Sequence, residues 1–152
     1  MDFLLFKREV GCVCVLDISR AALDRAQSRL AHVTRRVQWI EADVTGDWPV
    51  PPVDIWHDRA VFHFLTDPVD RERYRARLLQ AVKPGGCAII ATFAQDGPAT
   101  CSGLPVVRYS PDALEAELGP AFRLQEAVRE SHVTPFGTTQ EFWYSRFLRR
   151  ER

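Results

Sequence analysis

The sequence lacks several patterns that would each define a class of protein. No Gly-x-Gly occurs among its eight glycines, so the chain has no loop of the kind that receives a dinucleotide or a phosphate. Its four cysteines include no Cys-x-x-Cys pair, and no apolar run approaches the length of a membrane span. The first residues contain too short an apolar stretch for a signal peptide. We therefore expect a reduced, cytoplasmic protein with no membrane partner.

An excess of either charge is also missing. Twenty Lys and Arg residues balance twenty Asp and Glu residues, so the formal net charge is zero. General nucleic-acid binders carry a basic excess, which argues against nucleic acid as a partner. The hydrophobic fraction of 46% and the charged fraction of 26% are those of a soluble globular protein. A chain of 152 residues is expected to form a single domain over residues 1–152.

What the sequence does contain is an alternation of predicted strands and helices. The strands are predicted at Val13–Asp17, Val37–Glu41, Val53–Asp58 and Cys87–Phe93, with two more near Phe122–Arg129 and Glu141–Phe147. Ser19, Thr66 or Asp67, and Ser110 are suitable caps for the intervening helices. Strands that alternate with helices predict an α/β fold with a doubly wound, mainly parallel sheet. Trp39, Trp56 and Trp143 are expected in its core.

Three acidic residues, Asp17, Asp43 and Asp58, stand where predicted strands end. In an open α/β sheet, ligands bind outside the carboxyl ends of the strands, and an acid there can accept hydrogen bonds from ribose hydroxyls. A purely structural role is also open for each of the three acids. Asp17 could only cap the following helix, Asp43 could be a turn residue, and Asp58 with Arg59 could form a salt-bridged loop end.

Four motifs in order carry a resemblance to a known family. They are Leu16-Asp17-Ile18-Ser19, Glu41-Ala42-Asp43-Val44, Asp58-Arg59-Ala60-Val61-Phe62-His63-Phe64-Leu65, and Lys83-Pro84-Gly85-Gly86 before an apolar strand. From about Gly11 to the C-terminus the chain resembles the class I S-adenosylmethionine-dependent methyltransferases. The resemblance implies a Rossmann-like sheet with an antiparallel C-terminal strand, S-adenosyl-L-methionine as cofactor and a small-molecule methyl acceptor. A nicotinamide-dinucleotide protein fits less well, because Asp43 and the Lys83–Gly86 turn match the methyl-donor family.

The resemblance also implies roles for individual residues. Asp17 would bind both ribose hydroxyls, and Ile18 would lie against the adenine. Asp43 would accept from the adenine amino group, with the Val44 backbone beside the ring. Asp58 and Arg59 would lie near the donor's methionine end.

The catalytic residues stay unknown, because methyl transfer depends mainly on alignment and exclusion of water. Candidates for contact with the acceptor are Cys101, Ser102, Arg108 and Tyr109, which follow the Phe93 strand. His57 and His132 have no partner at metal-ligand spacing, so no metal is predicted.

The part of the family that precedes Asp17 has no counterpart at the front of this chain. In the family, a central first strand and a glycine-rich loop come before the Asp17 strand, whereas only about a dozen residues precede it here. We therefore expect an N-terminally truncated domain whose central first strand is missing or replaced. The vacant position could be empty, filled by another chain, or occupied by Phe3–Phe6 as an antiparallel strand. A further alternative is an incomplete gene product that folds poorly. The upstream segment resembles the end of a helix that follows the missing strand.

Two functions follow from this incomplete pattern. The first is methyl transfer that is impaired by loss of the N-terminal motif. The alternative is a non-catalytic, methyltransferase-like fragment that binds an intact subunit or another partner. In either case an unpaired sheet edge predicts a possible dimer.

Overall fold

The computed structural model describes residues 11–31 and 37–151, and its contacts divide the chain into two units. The first unit ends at Trp48 and the second begins at Pro49. Each is described below by itself. The prediction of a single domain over residues 1–152 stays a prediction.

The first unit is built on two parallel strands and a helix. Strand β1 covers Val13–Asp17, helix α1 covers Arg20–Arg29, and strand β2 covers Val37–Glu41. The strands pair in parallel, with Val13 opposite Val37 and Asp17 opposite Glu41. Ser19 has an extended backbone, and its hydroxyl accepts a hydrogen bond from the Ala22 N–H, so it caps α1 as predicted.

The second unit contains a four-stranded sheet and a small hairpin. Its strands are β3 (Val53–Arg59), β4 (Val82–Phe93), β5 (Thr100–Cys101), β6 (Leu104–Pro105), β7 (Phe122–Val133) and β8 (Thr139–Arg149). The order in the main sheet is β3-β4-β8-β7. Strands β3 and β4 are parallel, whereas β8 runs antiparallel to both of its neighbours.

Two helices and one 3₁₀ turn complete the second unit. The turn covers Phe62–Phe64, α2 covers Pro68–Ala81, and α3 covers Pro111–Leu118. Both helices begin with a side-chain cap followed by proline: Asp67 accepts from the Val69 N–H, and Ser110 accepts from the Ala113 N–H. The cap of α2 is therefore Asp67 rather than Thr66.

The two faces of the main sheet differ in burial. Trp56 and Asp58 are in register with Ala88 and Ile90 and share their face, which α2 covers through the fully buried Tyr74. Arg71 of α2 and Glu117 of α3 form an ion pair at 2.9 Å that joins the two helices. On the opposite face, Ile55 and Val128 each expose more than half of their surface.

The α/β architecture with parallel and antiparallel strands is confirmed. Within the described residues β1 pairs with β2 alone, and β3 pairs with β4 alone. Each therefore has a second edge for which the described residues supply no strand. The predicted replacement strand Phe3–Phe6 lies outside the described residues.

Burial of the tryptophans differs from the expectation. Trp39, Trp56 and Trp143 are only partly buried, whereas Trp48, which was not predicted in the core, is 8% exposed.

Candidate functional site

Asp17 and Asp43 lie at the same edge of the β1–β2 pair. Because the strands are parallel and Asp17 is opposite Glu41, both carboxyl ends meet at this edge. The pairing continues past the strands, since the Asp17 carbonyl accepts from the Ala42 N–H at 3.2 Å. Asp43 follows Ala42 directly. The backbone therefore brings together two acids that are 26 positions apart in the chain.

One of the two oxygens of the Asp17 carboxylate accepts a hydrogen bond at the start of α1. Its Oδ1 accepts a hydrogen bond from the Ser19 N–H at 2.7 Å, which fixes the orientation of the group. Its Oδ2 has no hydrogen-bond partner among the residues that the structure describes. A carboxylate can accept about four hydrogen bonds in total, so Asp17 retains capacity for the two hydroxyls of a ribose.

In Asp43, as in Asp17, one carboxylate oxygen accepts local hydrogen bonds and the other has no described partner. Oδ1 accepts from both the backbone N–H and the hydroxyl of Thr45, each at 2.8 Å, while Oδ2 has no partner in the described part of the chain. The next residue, Val44, uses its carbonyl to accept from the Trp48 indole at 3.2 Å. Its backbone N–H makes no hydrogen bond within residues 11–31 and 37–151. A carboxylate oxygen and an N–H group thus stand on adjacent residues.

Ile18 adds an apolar surface to this edge. It follows Asp17 directly and is 71% exposed, so its side chain is accessible to a ligand. The Ile18 side chain can therefore provide an apolar contact for a ring whose polar groups bind Oδ2 of Asp17 or of Asp43. Together the four residues supply acceptors for hydroxyls, an acceptor and a donor for the edge of a base, and a surface for its face. This combination of groups fits the adenosine part of S-adenosylmethionine.

Asp58, the third strand-end acid, is arranged differently. It is 5% exposed, and its carboxylate accepts from the Val61 N–H at 2.8 Å, the Phe62 N–H at 3.1 Å and the Tyr74 hydroxyl at 2.6 Å. The Tyr74 hydroxyl in turn accepts from the Trp56 indole at 3.0 Å. Burial raises the pKa of Asp58 to about 6, although these hydrogen bonds oppose the rise.

Arg59 contacts residues of β8 and makes no ion pair with Asp58 in the described structure. Its Nε donates to the Tyr144 hydroxyl at 2.8 Å, and its guanidinium carbon lies 5.8 Å from the centroid of the Phe142 ring. Ala60 follows with a φ of 63°, a left-handed conformation that is rare for alanine. This turn directs the backbone so that Val61 and Phe62 face Asp58.

His63 is fully buried in the 3₁₀ turn. The Phe93 N–H approaches its Nδ1 at 3.4 Å, and its ring packs against Phe64 and Phe93. Nε2 has no partner among the described atoms. Burial lowers the pKa of His63 to about 4, so the ring is neutral at pH 7.

The four residues predicted to face the acceptor do not form one group. Cys101 packs beside the buried residues Ala91, Phe93 and Phe142, whereas Ser102 lies in the β5–β6 turn with a φ of 51°. Arg108 is exposed and donates to the Gly97 carbonyl at 3.1 Å. Tyr109 is 5% exposed, with its hydroxyl buried and without a partner in the described residues.

The partners of Asp58 and Arg59 are distant in the sequence and were not predicted. Tyr74 lies 16 positions after Asp58, and Tyr144 lies 85 positions after Arg59. No local pattern links residues so far apart. In the described residues, no group of three or more His, Cys, Asp or Glu side chains could hold a metal ion, and no helix is long and apolar enough to cross a membrane.

Comparison with known proteins identifies the family. The sequence profile of the methyltransferase domain family matches residues 2–86, which is more than half of the chain. The protein therefore belongs to this family, which uses S-adenosyl-L-methionine, and the resemblance and the cofactor inferred from the sequence are confirmed. Methyl transfer is accordingly the chemistry of its family. No curated protein matches the chain.

Solved structures show the same fold at low sequence identity. The N-methyltransferase NodS from Bradyrhizobium japonicum WM9, in complex with S-adenosyl-L-homocysteine, matches with a TM-score of 0.74 and 18% identity over 92% of this chain and 67% of its own. An S-adenosylmethionine-dependent methyltransferase from Mesorhizobium loti gives 0.69 and 17%, over 96% and 84%. A third, from Methanosarcina mazei, gives 0.69 and 12%, over 93% and 84%.

Proposed function

We propose that this chain binds S-adenosyl-L-methionine by its adenosine end at the β1–β2 edge and takes part in methyl transfer to a small-molecule acceptor. The observation that carries the proposal is the parallel register of β1 and β2, which places Asp17 and Asp43 at one edge. Each acid has one oxygen fixed by a local hydrogen bond and one without a described partner.

The roles within the half-site follow from donor and acceptor chemistry. Asp17 Oδ2 accepts from the ribose hydroxyls. Asp43 Oδ2 accepts from the adenine amino group while the Val44 N–H donates to the adjacent ring nitrogen, and Ile18 covers one face of the base. Each of these polar contacts uses a group that has no partner among the described residues, so that binding replaces water rather than a described internal hydrogen bond.

The methyl donor supplies an electrophilic methyl group on a positively charged sulfur. What the chain contributes is placement: its residues hold the adenosine and align the acceptor, and they exclude water from the reacting atoms. No proton-transferring residue is assigned, because displacement at a sulfonium disperses charge without requiring a dedicated base.

Asp58 and Arg59 are predicted near the methionine end of the donor, and this placement stays a prediction. The three hydrogen bonds of Asp58 leave its carboxylate little capacity for a ligand. We therefore propose that Asp58 acts indirectly, by holding the turn that presents Arg59 and Val61. Since the chain contains no Gly-x-Gly to receive the methionine end, the affinity for the whole donor is expected to be weaker than micromolar.

A titration of the isotope-labelled 152-residue chain with S-adenosyl-L-homocysteine, followed by NMR, tests the half-site. We expect the amide signals of Ile18 and Val44 to shift on binding. Asp17→Asn should weaken binding by about tenfold or more, because an amide N–H cannot accept from a hydroxyl. Asp24→Asn is the matched control, since Asp24 is an exposed acid of α1 that pairs with Arg20. Equal binding by the Asp17→Asn and wild-type proteins would refute the half-site.

A second candidate function is association with an intact subunit or another copy through the edge of β3. The observation that favours it is that the described residues supply no strand beside the second edge of β3, while Ile55 of the same strand is 55% exposed. Exposed strand edges bearing apolar side chains promote pairing between chains. Light scattering after size-exclusion chromatography should then show a dimer, and Ile55→Lys should shift it to monomer. A wild-type protein that stays monomeric at high concentration would remove this candidate.

A further inference from the structure

Arg59 is a cation that the described residues provide with no acidic partner. Its two contacts are the Tyr144 hydroxyl, 2.8 Å from Nε, and the Phe142 ring, 5.8 Å from the guanidinium carbon. The strand register explains them, since Arg59, Ala91 and Tyr144 are consecutive partners across β3, β4 and β8. All three therefore lie on one face of the sheet.

These two contacts orient the guanidinium without using most of its donors. Nε is occupied, but neither terminal NH₂ group has an acceptor among the residues that the structure describes. About four N–H donors thus remain available in the planar arrangement that matches a carboxylate. Because the ring and the hydroxyl already restrict the side chain, less conformational freedom is lost when an anion binds.

No acid of the described residues forms an ion pair with Arg59, and several acids of the same unit have other partners. Arg129 pairs with both Asp96 and Glu141, and Glu126 pairs with Arg146 at 3.3 Å. The Asp58 carboxylate is closed by its three hydrogen bonds. The positive charge of Arg59 therefore has no internal counter-ion in the described chain, and a ligand anion can supply one.

The surroundings of Arg59 are apolar. Ala91, Phe93 and Phe142 form a buried cluster, and Ala60, Cys101, Val106 and Tyr144 pack against it. Ala91, Phe93 and Phe142 are buried, so a ligand that pairs with Arg59 would contact the partly buried residues of this set, Ala60, Cys101, Val106 and Tyr144. The pattern of one oriented cation beside an apolar wall is selective for a carboxylate joined to a hydrophobic body.

We infer that Arg59, oriented by Tyr144 and Phe142, is a carboxylate-binding subsite and that the methyl acceptor carries this carboxylate. The assignment to the acceptor rests on the proposed function. The methionine end of the donor also has a carboxylate and is the other source to be tested. It brings an ammonium group as well, and none of the residues that form the apolar cluster or pack against it is an acid.

Benzoate is the probe, with benzamide as its uncharged counterpart of the same shape. In an NMR titration of the 152-residue chain, benzoate should shift the signals of Arg59, Phe142 and Tyr144 and bind at least about tenfold more tightly than benzamide. Arg59→Met should weaken benzoate binding by about tenfold or more. Arg59→Lys should weaken it by less, since lysine keeps the charge but lacks the two parallel N–H groups of the guanidinium.

Arg146→Met is the matched control for charge. Arg146 is an exposed arginine on the same face of the sheet, but its guanidinium pairs with Glu126. This variant should bind benzoate like the wild type. Benzoate that binds the Arg59→Met protein as well as the wild type, or that binds neither, would overturn the subsite.

A second arm separates the two sources of the carboxylate. S-Adenosyl-L-homocysteine has the methionine carboxylate, whereas 5′-methylthioadenosine lacks it. If the acceptor is the source, Arg59→Met should leave the affinity ratio of these two compounds unchanged. If the affinity advantage of S-adenosyl-L-homocysteine over 5′-methylthioadenosine is lost in Arg59→Met, the carboxylate belongs to the donor and the assignment to the acceptor is overturned. Failure of both compounds to bind the wild type would contradict the proposed function, while the benzoate result would still stand.

Discussion

Asp17 and Asp58 occupy equivalent places in the sequence, each at the end of a parallel strand, yet they differ in what their carboxylates do. Asp17 keeps one oxygen without a described partner after a single bond to the Ser19 N–H. Asp58 is 5% exposed and accepts three hydrogen bonds. One acid is available to a ligand, and the other is part of the fold.

The residues that follow each acid explain the difference. After Asp17 the chain enters α1 directly, and only the Ser19 N–H turns back toward the carboxylate. After Asp58, the left-handed conformation of Ala60 directs the N–H groups of Val61 and Phe62 toward the carboxylate. The hydroxyl of Tyr74 in α2 donates a third hydrogen bond to it. A strand-end acid thus serves a ligand only where the next turn leaves one of its oxygens uncommitted.

The largest expected effect is on stability, and it separates the two acids. Asp58→Ala should destabilise the fold by about 3–5 kcal/mol, because it leaves the Tyr74 hydroxyl and two backbone N–H groups without their acceptor. Asp17→Ala should cost about 1 kcal/mol or less, since one local hydrogen bond is lost. Chemical denaturation of both variants measures the contrast. Similar losses of stability for the two variants would contradict it.

A smaller effect is expected in the pH dependence of stability. The pKa of Asp58 in the folded protein, about 6, lies above its ordinary value of 3.8 because of burial. Between these values the folded state holds a proton that the unfolded chain has released. The stabilisation from Asp58 is therefore complete below about pH 4 and is lost as the pH rises through about 6.

The Asp58→Asn variant isolates this contribution. Relative to wild type it should gain as much as about 3 kcal/mol between about pH 4 and pH 7. The comparison with wild type is necessary because His63, whose pKa burial lowers to about 4, adds stability as the pH rises over the same range. A constant difference between the two proteins across this range would show that Asp58 is not held in the way described.

The sequence predicted those features that depend on neighbouring residues. Ser19, Asp67 and Ser110 each cap a helix by bonding to an N–H two or three positions ahead, so a local motif was sufficient. Strand boundaries were less accurate. Strand β4 begins at Val82 rather than Cys87, because Val82 pairs with Val53 ahead of the Lys83–Gly86 turn. Strands β7 and β8 extend further toward each other, to Val133 and from Thr139.

Features of the site that depend on distant residues could not be predicted. The sequence placed Asp17, Asp43 and Asp58 at strand ends, and the structure agrees. It did not indicate that Tyr74 closes Asp58 or that Tyr144 orients Arg59, because helix packing and the antiparallel β8 bring these residues together. The strand-end pattern therefore predicted contact with the methyl donor for all three acids, although their surroundings differ.

The most direct test of the account compares two ligands that differ at the adenine amino group. S-Adenosyl-L-homocysteine donates this group to Asp43 Oδ2 and accepts from the Val44 N–H at the adjacent ring nitrogen, whereas S-inosyl-L-homocysteine presents a carbonyl oxygen and a ring N–H in these two places. The wild-type chain should prefer the adenosyl compound by about tenfold or more. In Asp43→Asn the preference should fall, because the amide can donate to the carbonyl, although the mismatch at the Val44 N–H remains. Asp24→Asn should behave like the wild type. An adenosyl preference that is unchanged in Asp43→Asn would contradict the account.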